Sequence, residues 1–124
     1  INSQTDSSNW AKAGLMIRES RWCGSKYSLA AVTPGNGVVF HNRTATSWFA
    51  WEESNVSGST PVWLKLAREG DVITAYHSTD GRNWSSMGSA NVSMNADTLI
   101  GFAVTSHNIF KYSTAVFDQV WVRR

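Results

Sequence analysis

The sequence predicts an all-β protein, a two-sheet antiparallel β-sandwich of the jelly-roll kind. Three observations predict it. No stretch carries apolar residues at helical spacing over the length of a helix. Short β-rich runs recur along the chain, separated by Gly, Asn, Ser and Asp. Within the clearest runs apolar and mixed positions alternate, so each run has one side to bury. A sheet with one apolar face must bury it against a second layer.

The first predicted strand is Trp10–Arg18, with Ala11, Ala13, Leu15 and Ile17 on one side and Lys12, Gly14, Met16 and Arg18 on the other. Lys26–Thr33 follows, closed by the turn "TPGNG", whose Pro, Asn and two Gly supply positive φ at low cost. In Gly37–Arg43, Val38 and Phe40 oppose Val39, His41 and Arg43. Ser47–Glu52 is read as a strand that sends Trp48 and Trp51 to opposite faces, with Phe49 beside Trp51. Pro61–Arg68 sets Val62, Leu64 and Leu66 against Trp63, Lys65 and Ala67. "REGD" connects it to Asp71–Ser78, and "STDGRNW" turns around Asp80-Gly81 into Trp84–Gly88. Thr98–Ser106 and Thr114–Val122 complete the set. If the mixed sides share a sheet, Arg18, His41, Arg43, Trp63 and Lys65 form one broad polar and aromatic surface.

The 124 residues suit one domain, residues 1–124, and are enough for a core without metal or disulfide. Charged residues make up only 16%, the net charge is +2, and no basic run forms a nucleic-acid footprint. No apolar stretch reaches the length of a membrane span. The expected partners therefore include neither nucleic acid nor membrane. The single Cys23 allows no internal disulfide. A surface rich in Ser, Thr and Asn, with seven Trp, suits an extracellular bacterial β-domain. The nine carboxylates offer no pair set for glycosidase chemistry, and neither a nucleophile motif nor zinc spacing nor a phosphate loop is visible. A non-catalytic protein is the expectation.

Three segments, "WAKAGLMIRES", "VTPGNGVVFHNR" and "VWLKLAREGDVITAYHSTDGRNW", are followed in order by "IGFAVTSHN" and "TAVFDQVWV". Together they resemble the concanavalin A-like (laminin G-like) β-sandwich modules of bacterial secreted glycoside hydrolases. The resemblance implies a secreted carbohydrate-binding module attached to a glycoside hydrolase catalytic domain. Such modules usually carry more β-sequence ahead of the segment matching Trp10, so this one is expected either to be short or to lack strands that a longer parent supplies. "STDGRNW" resembles an Asp-box hairpin with one residue fewer between Asp and Gly, with Trp84 expected to pack beneath it. "FDQV" is similar to strands whose Asp helps hold a structural calcium, which would make Asp118 a metal ligand.

The stretch "TSWFAWEES" departs from that likeness by its aromatic content, and variable loops carry specificity on a fixed scaffold. A flat indole accepts the C–H face of a pyranose while polar neighbours bond its hydroxyls. Trp48, Trp51 and Trp22, which lies in a loop, are the expected platforms. Arg18, His41 and Arg43 are the expected hydrogen-bond donors. His107 and Asn108 are further candidates at a sheet rim. By analogy with base stacking, each platform contributes roughly 1–3 kcal/mol. Two platforms give a dissociation constant on the order of micromolar to millimolar. A β-glucan such as cellulose, mixed-linkage glucan or xyloglucan is the expected polysaccharide, because such chains present flat faces. The competing expectation is a structural or adhesion sandwich that uses the same aromatics for protein–protein or domain–domain contact.

Overall fold

The computed structural model describes residues 1–123. They form the strands β1 (Ser3–Gln4), β2 (Lys12–Arg18), β3 (Tyr27–Val32), β4 (Val38–Arg43), β5 (Trp51–Val56), β6 (Trp63–Glu69), β7 (Val72–Ser78), β8 (Ser85–Asn91), β9 (Leu99–Thr105) and β10 (Ala115–Val116). Among the described residues there is no helix. The large sheet has five strands in the order β5-β4-β3-β2-β9, and the small sheet three, β6-β7-β8. β1 and β10 pair separately, and all pairings are antiparallel. The small sheet lies over the large one, with β6 against β2 and β3 and β8 against β4 and β5. This is a β-sandwich.

Alternation decides what lies between the layers. Ala13, Val32 and Val38 sit opposite one another across β2, β3 and β4, as do Leu15, Ala30 and Phe40. From this face Ala13, Ile17, Ala30, Val32, Val38 and Phe40 meet Val62, Ile73, Ala75 and Met87 of the small-sheet layer. Phe40 is fully buried, which by area contributes about 1.5–3 kcal/mol. The inner faces read from the sequence for β2, β4 and β6 are those that face the core.

The same inner face holds one polar pair. Ser28 and Asn42 are opposite one another and both fully buried. The Ser28 hydroxyl donates to Asn42 Oδ1, while Asn42 Nδ2 has no hydrogen-bond partner.

The turns follow their chemistry. Gly37 has φ 72°, and a Cβ there would stand 2.2 Å from the Val56 carbonyl oxygen, so the position accepts only glycine. Thr33 closes that turn by accepting from the Asn36 N–H and donating to the Gly37 carbonyl. At the β7–β8 turn, Asp80 Oδ1 accepts from the N–H groups of Arg82 and Asn83 and from the Ser78 hydroxyl. The Asn83 side chain donates to Asp80 Oδ2, and these bonds hold the Asp80 carboxyl well below the usual carboxylate range. Gly81 (φ 75°) lies against the ring of Trp63, where a Cβ would come within 2.7 Å. The ring that lies against the glycine of this hairpin is that of Trp63.

Three predicted strands differ. The aromatic run at Ser47 is not strand: Trp48 N–H bonds the Ala45 carbonyl in a turn, and β5 runs from Trp51 to Val56. Pairing with β4 decides this, since Val38 and Val39 align with Val56 and Asn55. β8 extends to Asn91, because β7 offers partners as far as Val72. The last strand shrinks to Ala115–Val116, which among the described residues pairs with β1 alone.

Candidate ligand-binding face

The outer face of the large sheet is built by register. One row runs Glu52, His41, Leu29, Met16, Gly101, and the next runs Arg43, Tyr27, Arg18, Leu99. Three of the mixed-side residues, Arg18, His41 and Arg43, thus share one face. Trp63 and Lys65 are on the other sheet. The floor is apolar, with Leu29, Ala31 and Val39 buried beside Met16, Tyr27 and Ala103.

Tyr27 has a guanidinium on each side, that of Arg18 at 5.4 Å and that of Arg43 at 5.1 Å from the ring centroid. Stacking of this kind holds planar cations flat against the sheet. Their N–H groups then reach the loop after β2. Arg18 donates to the carbonyls of Trp22 (2.8 Å) and Ser20 (3.2 Å). Arg43 donates to those of Cys23 (2.7 Å) and Ser25 (3.3 Å). The two arginines were expected as donors to a ligand, but these bonds commit both to the loop that carries Trp22. They are positioning groups.

That loop is joined to the one carrying Trp48. Ser47 N–H donates to the Gly24 carbonyl at 2.7 Å, and Gly24 packs so closely against Trp22 that a Cβ would meet the ring at 2.6 Å. Trp22 and Trp48 remain 55% and 58% exposed, and Phe49 stands edge-on to Trp48 at 5.7 Å. Two indoles are therefore uncovered on two tied loops at one end of the large sheet.

Trp51 is placed differently from that pair. Its register partner is Asn42, so it belongs to the side of the sheet that faces the second layer, where it is still 42% exposed, and its Nε1 donates to Glu53 at 3.3 Å. His107 and Asn108 are remote. They follow Thr105, which pairs with Lys12, whereas Trp22 follows Arg18 at the other end of β2, about 20 Å away. Asn108 there donates to the Ser7 carbonyl, a structural bond.

Residues not singled out as site residues from the sequence, Lys12, Tyr27 and Glu52, complete the face around His41. His41 Nε2 lies 3.4 Å from Glu52 Oε1. Burial lowers the His41 pKa, Glu52 opposes the shift, and the Lys12 charge adds to it, so the imidazole is neutral at pH 7. Lys12 is itself lowered by burial, with Glu52 opposing, and its amine donates to the Trp10 carbonyl at 3.0 Å. Lys12, Tyr27 and Glu52 were missed because their roles depend on cross-strand neighbours. Tyr27 carried one usable signal, alternation with Leu29 and Ala31.

The residues present do not fit calcium at Asp118. Its carboxylate accepts from Asn2 Nδ2 at 3.0 Å. Among the described residues no group of three or more His, Cys, Asp or Glu gathers, and calcium asks for 6–8 oxygens.

An all-β protein of two packed sheets, with paired aromatic loops at one end of the larger sheet, is the class that this architecture defines. The chain belongs to the family described as Protein of unknown function (DUF1349), which it matches over residues 3–122. No curated protein and no solved structure matches it.

Proposed function

We propose that the protein is a non-catalytic, concanavalin A-like carbohydrate-binding module. In this reading it is secreted and holds an attached glycoside hydrolase on polysaccharide, with a β-glucan as the preferred ligand. The observation that carries the reading is the pair of uncovered indoles, Trp22 and Trp48, on loops tied by the Ser47–Gly24 bond. Arg18 and Arg43 pin the Trp22 loop, so little loop entropy is lost on binding. His41, Glu52 and Lys12 supply donors and acceptors for hydroxyls on the same face. Open platforms with few polar partners suit a polymer that must be bound and released.

Affinity electrophoresis against glucans, xylans and mannans tests the reading. Retardation by a β-glucan is expected, and no retardation by any of them refutes it. A second reading, an adhesion or structural sandwich, is favoured by the apolar side chains exposed on β9 and at Ile109, Phe110 and Tyr112. It predicts self-association in solution and no change of Trp fluorescence with sugar.

A further inference from the structure

The indoles of Trp22 and Trp48 stand on loops that leave strands two apart. The Trp22 loop follows β2 at Arg18, and the Trp48 loop follows β4 at Arg43. β3 lies between, and its first residue, Tyr27, is opposite both arginines, one on each side. At ~4.8 Å per strand the two loops are rooted about 10 Å apart. The Ser47–Gly24 bond fixes that spacing above the sheet. Gly24 abuts both loops at one point, where a Cβ would stand 2.6 Å from the Trp22 ring and 2.9 Å from the Ser47 hydroxyl. Tyr27 thus lies midway between the two platforms.

The Tyr27 ring is fixed, with a guanidinium on each side of it. The N–H groups of those guanidiniums are taken by carbonyls of the Trp22 loop. The phenol is left out of these bonds. Among the described residues its hydroxyl has no hydrogen-bond partner, and it is open to solvent. A clamped ring with an unused hydroxyl can donate to or accept from a ligand group at little cost in side-chain entropy.

We propose, resting on the carbohydrate-binding reading, that Trp22, Tyr27 and Trp48 form a three-ring subsite for a β-1,4-linked chain that crosses the strands from β2 to β4. In such a chain each pyranose is turned over relative to the last, so the first and third rings show the same face. At ordinary bond lengths a ring and its linkage oxygen advance about 5 Å, which puts the first and third rings about 10 Å apart. That is the spacing of the loop roots. The first and third rings lie on the two indoles, and the second passes over Tyr27, whose hydroxyl bonds one of its hydroxyls. A β-1,3 linkage turns the chain aside and takes the third ring off the second indole.

Calorimetric titration with the β-1,4-linked glucose dimer and trimer and with the β-1,3-linked trimer tests this. The β-1,4 trimer reaches the second indole, so it should bind roughly fivefold or more tighter than either of the others. Tyr27→Phe keeps the ring and both guanidinium stacks. It should weaken the β-1,4 trimer roughly 2- to 10-fold, the worth of one hydrogen bond, and leave amide exchange at Ser25 unchanged. Equal affinity for dimer and trimer, equal affinity for the two linkages, or full affinity in Tyr27→Phe overturns the subsite while carbohydrate binding stands. Faster exchange at Ser25 in Tyr27→Phe overturns the role of the hydroxyl and makes Tyr27 a support for the loop. If none of these saccharides binds and no polysaccharide retards the protein, the carbohydrate reading itself falls, and the subsite with it.

Discussion

His41 Nε2 lies 3.4 Å from Glu52 Oε1 across the pairing of β4 and β5, yet burial still holds the His41 pKa below the ordinary imidazole value of 6.5. Desolvation of the imidazolium outweighs its carboxylate partner. As the pH falls, the unfolded chain takes up this proton before the folded one. Between 6.5 and the lower folded value the unfolded state binds more protons, so stability falls with pH in that window and no further below it. In thermal melts taken downward from neutrality, the parent should lose stability relative to His41→Gln across this window. Parallel curves would remove His41 from the pH response.

Trp22 and Trp48 are more than half exposed, so truncation should not disturb the core. Each Trp→Ala change should weaken polysaccharide binding by roughly 5- to 150-fold, the equivalent of ~1–3 kcal/mol per stacked ring. Trp51→Ala should have little effect, because that residue shares a side with Asn42 and not with His41. Affinity gels on the three variants check this. A large loss at Trp51 alone would move the site to the other side of β5.

Arg43 acts through the loop that it holds. Arg43→Ala removes donors to the Cys23 and Ser25 carbonyls and one of the stacks on Tyr27. Charged hydrogen bonds of this kind contribute about 1.5–3 kcal/mol. The Ser25 amide, bonded to the Trp22 carbonyl, should exchange faster and affinity should fall, with the sheets intact. Arg43→Lys should recover only part of both, since an ammonium lacks the planar fork. Full recovery by Lys would mean that charge alone matters there.

Ser28 and Asn42 are a buried polar pair with Asn42 Nδ2 left unpartnered. Ser28→Ala alone should destabilise by about 1–3 kcal/mol, because it leaves a buried amide oxygen without its donor. Ser28→Ala combined with Asn42→Leu should be close to neutral or stabilising. Denaturant unfolding of the two singles and the double gives the coupling directly. A double variant that loses the sum of the singles would show that the pair is not one unit.

The all-β class and the inner faces of β2, β4 and β6 were readable because alternation is local. A residue's side of its own strand depends only on the parity of its position. The turns at Gly37 and Gly81 were readable for the same reason, since positive φ is a property of one residue and its neighbours.

Which faces share a sheet was not local. The order β5-β4-β3-β2-β9 puts Tyr27 between Arg18 and Arg43, and carries Trp63 and Lys65 to the other layer. The Trp48 segment reads as strand by its own residues and became a turn because β4 found its partners from Trp51 onward. The bonds that turn Arg18 and Arg43 from ligand donors into loop supports join groups distant in sequence or set by a loop's path. Tertiary structure alone decided these points, because pairing register is chosen by the burial of whole faces against each other, and no single strand contains that information.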